Sequence, residues 1–79
     1  VYQMSVMSAY NPTVLKELRT VLGWTIQDLH ERCQQVKFEI SISTLENWEN
    51  GNTVPDADKL GALAMIFGVG IERFYQPKN

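Results

Sequence analysis

This 79-residue sequence contains a single cysteine and no long uninterrupted hydrophobic run. One cysteine cannot form a disulfide within the chain, and Cys33 has no Cys or His neighbours at the spacing of a zinc site. The longest apolar stretch, LGALAMIFGVGI from Leu60, is interrupted by glycines and is too short to cross a bilayer. No basic residues precede the first apolar ones, as they would in a signal peptide. We therefore expect a cytoplasmic protein without a metal, cofactor, disulfide or membrane anchor.

Positive charge is also scarce, with seven Lys and Arg against nine Asp and Glu and a formal net charge of -2. No Lys or Arg lies between Phe38 and Asp58, an interval that contains Glu46, Glu49 and Asp56. Non-specific affinity for nucleic acid comes mainly from Lys and Arg, which release counterions from phosphates. Strong non-specific binding to a polyanion is therefore not expected.

The remaining composition is that of one small globular domain, at 44% hydrophobic and 20% charged residues. A chain of this length buries only a modest core, which favours short helices with brief connections. Residues 1–10 show no sustained period and are predicted to form an N-terminal tail, consistent with partly vector-derived residues, before a single domain at 11–79. The sequence has no Ser, His and Asp in catalytic order, no glycine-rich phosphate loop and no paired carboxylates in an apolar setting. We do not expect an enzyme.

Apolar spacing and capping residues predict an all-α bundle of five short helices. The predicted N-caps are Asn11, Thr25, Ser41 and Asp56. The predicted helix ends are Gly23, Gly51 and Gly68, with Lys37 in a left-handed conformation after the second helix. The fifth helix is a final turn or two around Phe74. The predicted core positions are Val14, Leu15, Leu18, Val21, Leu22, Ile26 or Leu29, Cys33, Val36, Phe38, Ile40, Leu45, Trp48, Leu60, Leu63, Ala64 and Phe67.

From Leu15 to Tyr75, the sequence resembles the phage-repressor and Cro-like, or Xre-like, helix-turn-helix family. The similar segments are LKELRTVLGWT, IQDL, STLENWENGNTVP and LGALAMIFGVGIERFY, in that order. The connection before the third helix is longer than the usual turn and is similar to a variant whose connection ends as FEIS does here. Two positions depart from the family: Ile26 replaces a Gln that often touches phosphate, and His30 replaces a packed Ala.

The resemblance implies a lambda-repressor-like domain that binds double-stranded DNA as a transcriptional regulator. Its simplest form is a homodimeric repressor on a palindromic operator, with no cofactor or small-molecule ligand. The family's Arg at the position of Arg19 pairs with the Glu that matches Glu49, so we expect this ion pair. The last apolar cluster, Ile71, Phe74 and Tyr75, either completes the core or forms the dimer contact.

The resemblance also places a set of base-reading residues on the outward side of the third helix. These are Ile42, Ser43, Thr44, Glu46 and Asn47. Such side chains can read base edges without a cation, because Asn pairs with adenine, Glu accepts from cytosine and Ile packs on a thymine methyl. Neutral donors, helix N-termini and one lysine are the predicted phosphate contacts. These are Thr25, Ile26, Gln27, Lys37, Asn50, Asn52 and Thr53.

Two alternatives remain open at the level of sequence. The chain could be a protein-interaction module that keeps the helix-turn-helix fold and uses the acidic surface of the third helix for a partner. It could also be the DNA-binding part of a longer regulator.

Overall fold

The computed structural model describes residues 10–75, so all of the predicted tail (residues 1–10) except Tyr10 lies outside this part. Four α-helices and one 3-10 helix follow one another in the described chain. They are α1 (Pro12–Val21), α2 (Ile26–Gln35), α3 (Ile42–Asn50), α4 (Ala57–Phe67) and the 3-10 helix (Ile71–Tyr75). The all-α prediction is confirmed. No helix in residues 10–75 is both long and apolar enough to span a bilayer.

The predicted count of five α-helices is wrong, because the last element is a 3-10 helix. Gly68 has a φ of 72° and ends α4, and Gly70 follows before the next element begins. The remaining segment spans five residues, too few to stabilise an α-helix. It closes instead with the i to i+3 hydrogen bonds of a 3-10 turn, such as the one from Arg73 N–H to the Gly70 carbonyl at 3.1 Å.

Side-chain caps begin all four α-helices at the predicted residues. At α2, Thr25 and Asp28 form a reciprocal capping box, with distances of 3.0 and 2.9 Å between side-chain oxygen and backbone nitrogen. At α3, the Ser41 hydroxyl accepts a hydrogen bond from Thr44 N–H at 3.2 Å. Lys37 has a φ of 63°, as predicted for the residue that turns the chain after α2. Local polar residues therefore set where each helix starts.

The core gathers one apolar stripe from each α-helix and a single residue of the 3-10 helix. It consists of Val14, Leu15, Leu29, Cys33, Leu45, Trp48, Leu60, Leu63, Ala64 and Phe74. Burial raises the pKa of the Cys33 thiol to about 11, so this cysteine is a protonated core residue at neutral pH.

Three predicted core positions are wrong, because Val21, Leu22 and Val36 are 82%, 47% and 47% exposed. Val21 is the last residue of α1, and the other two are the C-caps of α1 and α2. Helical spacing stops describing side-chain direction where a helix ends, and the turn carries these side chains away from the core.

Phe74 is fully buried, which corrects its prediction as a dimer contact, since its side chain has no surface to offer a second copy. Its carbonyl accepts a hydrogen bond from Asn11 N–H at 2.8 Å, which joins the 3-10 helix to the start of α1. Tyr10 also packs on the core, and its hydroxyl donates to the Trp48 carbonyl at 3.2 Å. Burial, followed by the negative charge of Glu49, raises the pKa of Tyr10 to about 12. The folded part of the chain therefore includes Tyr10.

The predicted pair of Arg19 and Glu49 joins α1 to α3. Arg19 Nε lies 2.7 Å from Glu49 Oε2, and its Nη2 lies 3.0 Å from Oε1, so the contact is bidentate. Arg19 Nη1 also donates to the Trp24 carbonyl at 2.9 Å. The two side chains are only 15% and 7% exposed, and the hydrogen bond to Glu49 raises the pKa of Arg19. The inner side of α3 is therefore held by an ion pair as well as by Leu45 and Trp48.

We predict that Arg19→Met or Glu49→Gln alone lowers the free energy of unfolding by about 3 to 5 kcal/mol, because each leaves a mostly buried charged group without its partner. The double variant Arg19→Met, Glu49→Gln should lose less than the sum of the single changes, since it leaves no unpaired charge. Urea titration followed by helical circular dichroism measures all three.

The matched control is Lys59→Met, which breaks an exposed ion pair with Asp56. Solvent screens that pair, so the unfolding midpoint should move much less. Equal midpoint shifts for Arg19→Met and Lys59→Met would contradict a special role for the α1–α3 pair.

Candidate nucleic-acid interface

The α3 helix has an inner face and an outer face. Leu45 and Trp48 are buried, and Glu49 points inward to its ion pair. At 100° per residue, these positions direct the opposite face of the helix away from the protein. That outward face carries Ser43, Glu46, Asn47 and Asn50. Ser43, Glu46 and Asn50 are exposed and Asn47 is half-buried.

The other two predicted base-reading residues, Ile42 and Thr44, flank this outward face and are half-buried. The Ser41 hydroxyl lies 2.9 Å from the Thr44 hydroxyl and 3.3 Å from the Ser43 hydroxyl. The start of α3 therefore presents a linked group of hydroxyls, each able to donate or accept. Asn50, predicted as a phosphate contact, lies between Ser43 and Glu46 around the helix and so shares the outward face.

The loop after α3 is bound to the last turn of the helix. Gly51 has a φ of 80°, which turns the chain back over α3. The N–H groups of Asn52 and Thr53 then donate to the Asn47 carbonyl at 2.9 and 3.4 Å. The Asn52 amide nitrogen donates to Asn47 Oδ1 at 3.2 Å. Asn52 and Thr53 are both exposed, and their hydrogen bonds to Asn47 place them beside the outward face of α3.

A cleft of about 530 Å³ separates the start of α2 from the outer side of α3. Thr25, Ile26, Glu46 and Asn50 line it, together with Trp24. The capping box uses the N–H groups of residues 25 and 28, whereas those of residues 26 and 27 have no acceptor within the helix. These free N–H groups and the helix dipole make the start of α2 suited to an anion.

Ile26 can contribute to anion binding only through its backbone, because its side chain packs against the core. Gln27 is exposed but does not line the cleft. Lys37 is exposed beside Gln34 and Glu39 in the connection between α2 and α3, outside the cleft residues. The structure thus brings Thr25 and Asn50 to the same cleft and leaves Lys37 apart from them.

The electrostatics of this surface depend on which acids are paired. Arg19 neutralises Glu49, whereas Glu46 is exposed on the outward face of α3. Asp56 is exposed at the start of α4. Hydrogen bonds from Lys59 lower the pKa of its carboxyl, and the bond from the Lys59 backbone N–H has the larger effect. The surface therefore offers mainly neutral hydrogen-bonding groups and a small number of carboxylates.

Trp24 was missed as a residue of this region. The Trp24 ring stacks on the Phe67 ring with 5.6 Å between their centroids. The Arg32 guanidinium lies 4.6 Å from the centroid of the Trp24 ring. Trp24 also lines the cleft. The available signal was its place directly before the N-cap Thr25, where an apolar residue commonly packs against the first turns of a helix.

Among residues 10–75, no three His, Cys, Asp or Glu side chains are grouped as metal ligands would be. No curated protein and no solved structure matches the chain. A family model described as a helix-turn-helix domain matches residues 14–79, which include α2, α3, α4, the 3-10 helix and most of α1. The chain therefore belongs to the helix-turn-helix domain family.

Proposed function

We propose that the protein is a sequence-specific, double-stranded DNA-binding transcriptional regulator of the phage-repressor and Cro-like type, with a lengthened connection between α2 and α3. In its simplest form it is a repressor that acts as a homodimer. The observation that carries the proposal is the anchoring of α3. Leu45, Trp48 and the Arg19–Glu49 pair hold its inner side, while hydrogen-bonding side chains face outward. Family membership supports DNA as the ligand.

The outward side chains match the chemistry of the major groove. Asn47 has the donor and acceptor that adenine N7 and N6 require, and Glu46 can accept from cytosine N4. Ser43 can donate to or accept from several bases, and Ile42 can pack on a thymine methyl. Thr44 lies at the edge of this group, with its hydroxyl 2.9 Å from the hydroxyl of the Ser41 cap, and would contact either a base edge or the DNA backbone.

Phosphate contacts in this proposal come mainly from neutral donors. Thr25 and the N–H groups of Ile26 and Gln27 would hold one phosphate at the start of α2. Asn50, Asn52 and Thr53 would contact the backbone beyond the end of α3, and Lys37 would add positive charge. Few counterions are released by such contacts, so a single copy should bind weakly and affinity should depend on pairing two copies.

In the proposed homodimer, each α3 enters one of two successive major grooves about 34 Å apart, which requires a palindromic operator. The 3-10 helix remains a candidate for the dimer contact, through Ile71 and Tyr75. Ile71 is 37% exposed and Tyr75 is half-buried, so both keep accessible surface.

The second candidate function is a protein-interaction module. It is favoured by the exposed carboxylates of Glu46, Asp56 and Asp58 and by the absence of Lys and Arg between Phe38 and Asp58. A partner with a basic surface would complement this region.

The first test is enrichment from a randomised duplex pool at low salt, followed by fluorescence anisotropy at rising salt. A regulator should enrich an imperfect palindrome that binds far more tightly than the starting pool. Failure of the folded, helical protein to enrich any sequence would contradict the proposal and favour the protein-interaction module.

Asn47→Ala tests base reading directly. It should cost about 1 to 3 kcal/mol at one base position of each half-site and relax the preference there. Binding to every single-base variant of the operator measures this profile. Asn50→Ala is the matched control, which should weaken all sequences by a similar factor. Uniform weakening by Asn47→Ala as well would contradict its assignment.

Thr53→Lys distinguishes binding to DNA from binding to a protein partner with a basic surface. A lysine beside α3 should strengthen DNA binding and steepen the slope of log K against log salt by about 0.9, as one added phosphate contact does. Met65→Lys adds the same charge on α4, at a residue that is 68% exposed and lies outside the candidate surface. An equal change in the salt slope for both variants would show that DNA does not approach the α3 side.

A further inference from the structure

Asn47 and Asn52 are joined in two ways at the end of α3. The backbone N–H of Asn52 donates to the Asn47 carbonyl at 2.9 Å, and the Asn52 amide donates to Asn47 Oδ1 at 3.2 Å. The residue assigned to base reading therefore has its side chain held by a residue of the exit loop.

The exit loop is itself firmly placed. Gly51 adopts a left-handed φ of 80°, and a Cβ at this residue would stand 3.3 Å from Pro12 Cγ. The loop therefore leaves α3 against the first residue of α1, in a conformation that other residues rarely adopt. The neighbouring residues Trp48 and Glu49 are fixed on the inner side of α3. The backbone at both Asn47 and Asn52 is therefore held in place by contacts other than the hydrogen bond between their side chains.

The orientation of the Asn47 amide decides what it can read. With Oδ1 turned to Asn52, the Nδ2 group keeps two free donors, and Oδ1 keeps one further lone pair. Adenine requires a donor to its N7 and an acceptor for its N6 amine, so the order of oxygen and nitrogen on the amide matters. A freely rotating amide could exchange this order and serve other bases.

We propose that Asn52 is a positioning residue that fixes the amide orientation of Asn47 and so sets base specificity at the position Asn47 reads. The inference rests on the proposed DNA-reading function of α3. It differs from the earlier assignment of Asn52 as a phosphate contact, because a phosphate contact changes affinity for all sequences alike. Asn52 thereby acts on specificity without touching a base.

The test is the full base-preference profile of the enriched operator for the wild type, Asn47→Ala, two Asn52 variants and one Asn50 control. Asn52→Ala should reduce preference about 2- to 10-fold at the position that Asn47→Ala identifies, as expected from freeing one ordered side chain. Asn52→Asp offers only acceptors, so Asn47 must turn its Nδ2 toward it and present Oδ1 outward. The favoured base at that position should then shift toward cytosine, whose N4 amine is a donor.

Asn50→Asp is the control for the added negative charge, since Asn50 is exposed on the same helix and its side chain makes no hydrogen bond to Asn47. It should weaken binding to every sequence by a similar factor and leave the order of preferred bases as in the wild type. A loss of folding stability alone would also affect all sequences together, so the single-position change distinguishes positioning from a structural role.

An unchanged profile for both Asn52 variants, or uniform weakening by both, would overturn the positioning role while leaving the proposed DNA-binding function intact. Failure of the wild type to enrich any sequence would overturn both. A profile that changes at the Asn47 position in both Asn52 variants, and not in Asn50→Asp, would establish the inference.

Discussion

The bidentate contact between Arg19 and Glu49 is the interaction on which the candidate surface depends. It crosses from α1 to α3, with Arg19 also bonded to the Trp24 carbonyl in the turn before α2. The same guanidinium therefore ties together three parts of the helix-turn-helix unit. α3 is short and buries only Leu45 and Trp48, so apolar packing alone holds few of its residues. The ion pair adds a directional restraint that fixes which side of α3 faces outward.

This arrangement explains how an acidic helix can present a mainly neutral outward surface. Glu49 is neutralised in the interior, and the outward face keeps only Glu46 as a carboxylate among Ser43, Asn47 and Asn50. Neutral hydrogen bonds depend on direction much more than charges do, so orientation matters more on this surface than on a basic one. The contact from Asn52 to Asn47 supplies such an orientation, at the place where Gly51 turns the chain back over α3.

Much of the fold could be predicted from local features. The N-caps, the left-handed Lys37, the end of α3 at Gly51 and the buried stripes of Leu45 and Trp48 follow from short-range rules of hydrogen bonding and spacing. The errors fall at helix ends. Val21, Leu22 and Val36 continue an apolar period but lie where the helix stops, and the residues around Phe74 close as a 3-10 turn. An apolar pattern along one helix does not show at which residue the neighbouring helices stop burying that face.

Some features of the candidate site could likewise be predicted from local sequence, whereas others depend on how the helices pack. Residue type and helical spacing alone predict which side chains of α3 carry outward hydrogen-bonding groups and which helices begin with free N–H groups. Helix packing brings Thr25 and Asn50 to one cleft, leaves Lys37 apart from it, and places Trp24 with Arg32 at the border of the region. It also places Phe74 in the core. The physical reason is that these relations join residues far apart along the chain, and their distances exist only once the helices pack.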